Sequence, residues 1–377
     1  MKQIKRRSAV FAAFLLLLIC ISPTISAFGE KAVGQQITFG SYPQTQVTDS
    51  AVLTRLDALE KSWVSYGYYS GTGEPLDGRM TAGDFMKYAD LTLDGARYRA
   101  VTFSTFRPAR TGGTHAEDSA QAQNGYRTND IYYFRFDPLT WRVLDPDTGL
   151  MLCENIIDAQ PYQATVYSDG STSWQSADAS VYANDYAASS LRRWLNHDFL
   201  QTAFSAEERS QLQSTVLEND GYNSAYRSAP TEDSVFLLSW SDALNSAYGF
   251  STSTVANFGR EAAGTDYARC QGLGVQTNGN AWWWLRSAGD KSHAACSVSD
   301  DGHLYYSYYV YNTDEGIRPA ICVPGADAAG AAASSNAKGS NVGAAAFRFL
   351  PVIAVGLAAI GLALVIVGLT RQKKNRT

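Results

Sequence analysis

The stretch that decides the fold class begins with "NAWWWLRSA" at residues 280–288 and continues with "HAACSVSDDGHLYYSYYVY" at 293–311 and "GIRPAICV" at 316–323. The apolar and aromatic runs favour successive strands, and the Asp301-Gly302 pair is typical of the turn of a β-hairpin. Upstream, "SSLRRWLNHDFLQTAF" at 189–204 places apolar residues at helical spacing. The sequence therefore predicts an α+β domain, with helices between an early and a late set of antiparallel strands.

The local signals before and between these segments agree with that order. "QQITFGSYPQTQV" at 35–47 predicts a strand, and "LTLDGARYRAVTF" at 91–103 predicts a hairpin turning at Asp94-Gly95. Ser189 or Ser190 is expected to cap the central helix, and Ser205 with Glu208 predicts a capping box at the next one. Residues 107–127 are polar and contain glycine, which favours a surface loop.

The amino-terminal residues 1–27 have the pattern of a secretory signal peptide. Four basic residues precede an apolar run, and small residues lead to a cleavage site after Ala27. Lipidation at Cys20 is disfavoured because the bulky Ile19 precedes it. The sequence therefore predicts an exported chain.

The carboxyl-terminal residues predict a membrane anchor. Residues 325–346 are almost wholly Gly, Ala, Ser and Asn, which is typical of a flexible stalk. Residues 347–370 contain an uncharged apolar run predicted to form a transmembrane helix, and the basic tail 371–377 is expected to stay in the cytoplasm. The expected location is the cell membrane, single-pass, with the bulk of the chain extracellular.

The remaining residues are assigned to two regions. Residues 28–140 are predicted to hold an amino-terminal strand and an inserted β-rich region, and residues 141–324 to form the main domain.

Once the nine basic residues of the two ends are set aside, 22 basic residues oppose 36 acidic ones. This excess of acid excludes a nucleic-acid binder, which needs a basic surface.

Four cysteines follow the signal peptide, and an exported protein can use an even number in disulfides. Two disulfides among them and four buried thiols are alternatives that the sequence leaves open, with Cys296 and Cys322 near enough along the chain to meet. The four residues are Cys153, Cys270, Cys296 and Cys322.

No catalytic constellation, metal-ligand spacing or cofactor fingerprint is found in the sequence. The four histidines do not pair at helical spacing, and there is no nucleophile elbow, phosphate loop or dinucleotide motif. The sequence predicts a protein that is not an enzyme and uses no metal or cofactor.

The late aromatic residues are the strongest candidates for function. Strand alternation places Leu304, Tyr306, Tyr308 and Val310 toward the core and the intervening residues outward. Tyrosine suits a binding surface because it offers a large rigid contact area and one hydroxyl. The predicted ligand-binding residues are Tyr305, Ser307, Tyr309, Tyr311, Asn312 and Trp282. The predicted structural residues are Trp284, Arg286, Arg318, Trp141 and Trp194.

Eight ordered motifs carry a resemblance to a known family. They are "FGSYPQT", "WRVLD", "SSLRRWLNHDFLQTAFS", "VFLLSW", "GTDYARCQGL", "WWLRSAG", "SVSDDGHL" and "GIRPAI", between about Phe39 and Val323. The series resembles an uncharacterised bacterial exported domain, the domain-of-unknown-function 6273 family. In simpler members the first two motifs lie close together, whereas here residues 45–140 separate them.

The last part of the chain is also similar to the C-type-lectin-like fold of formylglycine-generating enzymes and of the receptors of diversity-generating retroelements. That resemblance implies that the first and last strands lie together and that the late hairpin carries a ligand surface. Neither the paired active cysteines of those enzymes nor the calcium-binding motifs of lectins occur here. The fold can therefore be shared without either activity.

These observations lead to one functional expectation. The chain is expected to be a membrane-anchored surface receptor or adhesin that recognises a protein or a glycan through the late aromatic hairpin. The alternatives are a passive structural protein of the envelope and, less favoured, an envelope enzyme.

Overall fold

The computed structural model describes residues 32–66, 86–110, 119–164, 166–168, 174–176 and 181–324. The predicted signal peptide, stalk, transmembrane segment and basic tail lie outside these residues. The described part is rich in strands and has short helices, which agrees with the broad α+β prediction.

The strands are β1 (Gln36–Gln46), β2 (Val64–Ser65), β3 (Met86–Leu93), β4 (Ala96–Phe103), β5 (Ile131–Asp145), β6 (Leu150–Cys153), β7 (Asp158–Ala159), β8 (Val166–Ser168), β9 (Trp174–Ser176), β10 (Thr215–Leu217), β11 (Thr231–Asp233), β12 (Val235–Phe236), β13 (Trp283–Ala288), β14 (Ala294–Val298), β15 (Leu304–Tyr309), β16 (Gly316–Ile317) and β17 (Ala320–Cys322).

The α-helices are α1 (Ser50–Asp57), α2 (Ala120–Gln123), α3 (Ser190–Trp194), α4 (Leu200–Ala203), α5 (Ala206–Gln211), α6 (Trp240–Ala243) and α7 (Asp266–Cys270). A π-helical turn, Leu195–Phe199, joins α3 to α4, and 3-10 turns cover Ser224–Tyr226 and Ser246–Tyr248.

The predicted transmembrane helix is corrected by the structure. Within the described ranges no helix is long and apolar enough to cross a membrane. The longest helical run, residues 190–203, spans about 21 Å, whereas a bilayer core is about 30 Å thick. The transmembrane helix, the membrane anchor and the single-pass location predicted from the sequence are therefore not supported by the described residues. Residues 347–370, which the sequence favours for that helix, are not among those described.

Two main sheets organise the domain. The larger has the order β12-β17-β6-β5-β4-β3-β2, with β1 paired to β5, and the smaller has the order β15-β14-β13-β16-β7. β1 and β17 thus belong to the same sheet but pair with different strands. β5 runs across the predicted boundary between residues 28–140 and residues 141–324.

One hydrophobic core is shared by both sheets. It contains Trp141 and Ile321 from the larger sheet and Trp283 and Cys296 from the smaller. Burial of this much apolar surface is the main favourable contribution to folding. A second, smaller cluster lies around Leu56 of α1.

The chain crosses from the smaller sheet to the larger at Arg318, which has no exposed surface. Its Nε donates to the Cys153 carbonyl at 2.7 Å, and its Nη1 donates to the Arg260 carbonyl at 3.1 Å. Its Nη2 lies 3.6 Å from a carboxylate oxygen of Glu154. Burial is the main cause that lowers the pKa of Arg318, to about 10. Its contacts join the segment between β16 and β17 to the backbone at Cys153 and Arg260.

Local sequence signals correctly predicted several helix starts and turns. The Ser189 side chain accepts a bond from the Arg192 amide, and Ser205 and Glu208 form the predicted capping box. The Asp94-Gly95 and Asp301-Gly302 turns also form, with Gly95 and Gly302 at φ 80° and 79°. These features depend on residues close in sequence, and so sequence patterns reveal them.

Residues 107–127 are more than the predicted surface loop. Arg107 and Gln121 are buried, and Ala120–Gln123 forms α2. The Gln121 side chain accepts a bond from the Arg107 amide at 2.7 Å and donates to the Cys270 carbonyl at 2.7 Å. Long-range bonds therefore hold in the core two polar residues that composition alone assigns to the surface.

Candidate functional site: the late aromatic hairpin

The candidate site is built on β15, which is the edge strand of the smaller sheet. Three of its tyrosines are exposed: Tyr305 by 45%, Tyr306 by 41% and Tyr309 by 40%. Aromatic side chains this exposed on a regular strand mark a candidate interaction surface. The strand pairs on its inner side with β14, which positions these side chains on a hydrogen-bonded framework.

A β-bulge in β15 corrects the predicted division of faces. Ser297 of β14 lies opposite Tyr305, and Ala295 lies opposite Tyr308, so two steps along β14 match three along β15. The extra residue puts Tyr305 and Tyr308 on the same side of the sheet, although simple alternation would separate them. Tyr306, predicted to be core, is exposed for this reason.

Tyr311 is also corrected. It follows the end of β15 and is only 6% exposed, so it does not belong to the outward surface predicted for it. Its ring stacks with those of Tyr309 and His293, with centroids 5.3 Å and 6.3 Å away. Asn312 is half-buried and pairs with Arg110 in an isolated bridge. Beyond β15 the strand periodicity no longer applies, which explains the error.

Trp282 and Tyr305 form the centre of the site and are called the aromatic platform here. Their ring centroids are 4.6 Å apart at an interplanar angle of 36°. Tyr308 is the next ring, with its centroid 5.3 Å from that of Trp282 and 5.6 Å from that of Trp284. Packing against the half-buried Trp282 ring fixes the orientation of the more exposed Tyr305 ring.

Polar side chains border the platform. The Trp282 indole Nε1 donates to Asp300 Oδ1 at 3.2 Å, and Asn278 Nδ2 donates to Asp300 Oδ2 at 3.0 Å. Asn280 Nδ2 donates to Glu261 Oε2 at 2.9 Å and to the Asp300 carbonyl at 3.1 Å. These bonds hold carboxylate and carboxamide groups in place beside the rings. Asp300, Asn278, Asn280 and Glu261 are called the polar rim below.

The hairpin turn next to the rim carries a further acid. Asp301 accepts a bond from the Ser299 hydroxyl at 2.6 Å, and its Oδ2 lies 2.9 Å from His303 Nδ1. Bonds from Ser299 and His303, which favour the charged form, lower the pKa of Asp301 to about 2. The acid is therefore ionised at neutral pH.

The other exposed residues of β15 lie away from the platform. Tyr306 stacks on Tyr222 with centroids 4.1 Å apart and planes 1° from parallel, next to Trp240. Ser307 accepts a bond from Lys291 at 3.3 Å, and the Lys291 ammonium lies 5.9 Å from the centroid of the Tyr309 ring. Of the six predicted ligand-binding residues, Trp282 and Tyr305 meet in the aromatic platform, whereas Tyr309 and Tyr311 stack on each other away from it.

The predicted structural residues are all buried. The indole of Trp284 donates to the Gln160 carbonyl at 3.0 Å, and that of Trp141 donates to the Phe39 carbonyl at 2.7 Å. Arg286 pairs with Asp242 at 2.7 Å, and Trp194 packs on Phe199 with centroids 5.5 Å apart. The indole donors of Trp141 and Trp284 are thus satisfied inside the fold, whereas Arg286 Nε and Arg318 Nη2 are buried without a hydrogen-bond acceptor among the described residues.

Sequence reasoning missed Arg260, which shapes the loop beside the hairpin. This fully buried guanidinium donates to five backbone carbonyls, one in the hairpin turn at Gly302 and four at Ala243, Ser251, Ser253 and Val255. It also missed Asn278 and Asp300, which look like ordinary turn residues in the sequence. The adjacent Asn278-Gly279 and Asp301-Gly302 pairs signal turns but do not reveal that the turns meet.

The four cysteines among the described residues are buried thiols rather than disulfides, which is the second of the two alternatives. Cys296 lies in the smaller sheet and Cys322 in the larger, so the suggested pairing does not form. Burial raises the pKa of the Cys153 thiol to about 12 and raises those of Cys270 and Cys296 as well. Thiols of this kind are protonated and unreactive at neutral pH.

A polar cavity of about 230 Å³ lies elsewhere in the domain, lined by residues that include Arg107, Gln121, Gln276 and Asp314. Its lining contains none of the rings of the aromatic platform. In the part of the chain that the structure describes, no three His, Cys, Asp or Glu side chains group as metal ligands. The aromatic platform and its rim combine exposed rings with polar side chains, and they are the candidate site of this domain.

Asp158 is a buried acid that makes stability depend on pH. Its Oδ2 accepts a bond from the Tyr42 hydroxyl at 2.9 Å, and its side chain is 1% exposed. Burial raises its pKa to about 6. Because the pKa is higher in the folded state, the protein is most stable below about pH 4 with respect to this group and loses stability as the pH rises through 6.

In the wild type, ionisation of Asp158 should lower the free energy of unfolding by about 3 kcal/mol between about pH 4 and pH 7. We expect Asp158→Asn to lack this decrease, because the amide does not ionise. Urea unfolding across that range measures it, with exposed Asp147→Asn as the control that keeps the wild-type dependence. Equal pH dependence of wild type and Asp158→Asn would contradict the assignment.

Comparisons with known proteins give one match. Curated proteins and solved structures yield none. Residues 148–325 match the family model described as "Domain of unknown function (DUF6273)", which supports the assignment of that part of the chain to this uncharacterised family.

Proposed function

We propose that the domain is a binding module that recognises a protein or a glycan through its late aromatic hairpin. The observation that carries the proposal is the aromatic platform, in which Tyr305 is 45% exposed while its neighbour Trp282 is fixed by Asp300. Rigid aromatic side chains contribute strongly to binding because they lose little conformational entropy.

The bacterial origin, export and fold of the domain belong to the same proposal. Bacterial origin and export follow from the resemblance and from the signal-like residues 1–27, and a lectin-like fold remains a prediction from the resemblance. A binding role without catalysis is likewise proposed. An exported module would meet proteins and glycans outside the cell.

Binding by the purified protein to immobilised glycans and proteins tests the proposal. We expect Tyr305→Ala to lower the affinity for whatever is bound at least about tenfold, because central aromatic contacts typically contribute more than 1 kcal/mol. If Tyr305→Ala and Trp282→Ala bind the same molecules with the same affinities as the wild type, the platform has no role in binding.

A passive structural role is the second candidate, and the burial of Tyr311 supports it for that residue. Tyr311→Ser should lower the free energy of unfolding by about 3 kcal/mol, because a buried ring is lost. Tyr305→Ser should lower it by less than about 1 kcal/mol. Equal losses in chemical denaturation would favour the structural candidate for both residues.

A further inference from the structure

The aromatic platform offers two kinds of contact at once. The exposed Tyr305 ring is a flat apolar surface, and the polar rim lies beside the Trp282 ring that packs on it. A pyranose ring has a matching character, since its C–H groups form an apolar face and its hydroxyls project from the edge. Stacking of the C–H face on the tyrosine would bring the hydroxyls toward polar groups.

The rim has unused hydrogen-bonding capacity. Each Asp300 carboxylate oxygen accepts one bond from a side-chain N–H, from Trp282 or from Asn278, while a carboxylate oxygen has about two acceptor sites. Glu261 accepts from Asn280 through Oε2. These oxygens can accept bonds from sugar hydroxyls without losing their present partners.

The charge of the rim selects among sugars. Glu261 and Asp300 in the rim and Asp301 in the adjacent turn are acids, and Asp301 is ionised at neutral pH because its pKa is about 2. The nearby buried guanidiniums of Arg260 and Arg318 donate to backbone carbonyls. Saccharides with carboxylate or sulfate groups would be repelled, whereas uncharged ones would not.

We propose that the aromatic platform binds an uncharged saccharide, with a pyranose stacked on Tyr305 and its hydroxyls bonded to the polar rim. This rests on the proposed function and names its ligand class. β-Linked glucose and N-acetylglucosamine oligomers are the best probes, because their equatorial substituents leave broad C–H faces.

Saturation-transfer NMR with cello- and chito-oligosaccharides, and with oligogalacturonate as the acidic probe, tests the inference on the purified protein. We expect saturation transfer from the protein to at least one neutral oligomer and little transfer to the acidic one. Tyr305→Ala should bind the neutral oligomer at least about tenfold more weakly than the wild type. Tyr306→Ala is the matched control, because it removes an equally accessible tyrosine from the same strand that stacks on Tyr222 instead. Its affinity should stay within about twofold of wild type.

Three results would overturn the inference. They are no transfer to either neutral oligomer, equal binding of the acidic one, and equal losses in Tyr305→Ala and Tyr306→Ala. If Tyr305→Ala abolishes capture of a protein while no sugar binds, the saccharide inference fails and the proposed function stands. If the platform variants affect no binding of any kind, both fail.

Discussion

Arg260→Met is expected to lower the free energy of unfolding by about 4 kcal/mol or more, because it removes all five side-chain donors from a fully buried position. Each donor now serves a backbone carbonyl, at distances from 2.6 Å to 3.0 Å. A buried carbonyl without a donor costs about 1–3 kcal/mol, so the loop at residues 251–259 would have to open to water. Urea denaturation measures the loss, and hydrogen exchange in that loop should rise with it.

Arg227→Met is the matched control for that substitution. Arg227 is 55% exposed and pairs with Glu218 and Asp220 on the surface, each at 3.3 Å. Surface ion pairs contribute little, so its loss should be within about 0.5 kcal/mol. A loss below about 1 kcal/mol for Arg260→Met would show that the five bonds do not hold the loop.

Gly302→Ala is expected to lower the free energy of unfolding by about 3 kcal/mol. Gly302 has a φ of 79° in the turn between β14 and β15, and an added Cβ would lie 2.1 Å from the carbonyl oxygen of Asn257. A methyl group there strains the left-handed backbone and also pushes the adjacent loop away. Chemical denaturation measures the loss.

Gly279→Ala separates these two effects. Gly279 has a similar φ of 84°, but an added Cβ would meet no atom within 4 Å. Only the backbone strain should remain, at about 1 kcal/mol. Equal losses for the two glycines would mean that the loop at Asn257 yields freely to the added methyl group.

Much of the fold was predictable where the physical cause is local. Ser205 and Glu208 bond to each other's backbone within one helical turn, and Asp301-Gly302 supplies the backbone freedom of a tight turn. The predicted transmembrane helix was wrong as part of the fold described here.

The site was predictable only in part, because its geometry depends on contacts between distant residues. The position of Tyr308 beside Trp282, on the same face as Tyr305, requires the bulge in β15, and no residue in "HLYYSYYVY" marks where the extra residue falls. Alternation therefore assigned Tyr306 and Tyr311 to the wrong environments. Arg260 stands in the ordinary loop sequence "NFGREA", and its role appears only when five carbonyls converge on it.

The bulge in β15 also bears on how copies of this protein behave in concentrated solution. A straight edge strand offers a regular ladder of amide and carbonyl groups on which a second molecule can add its own strand, and exposed tyrosines would strengthen such a contact. The extra residue between Tyr305 and Tyr308 interrupts that ladder and increases the local twist. The irregularity that brings Tyr305 and Tyr308 to one face therefore also makes this aromatic-rich edge a poorer template for continuous sheets.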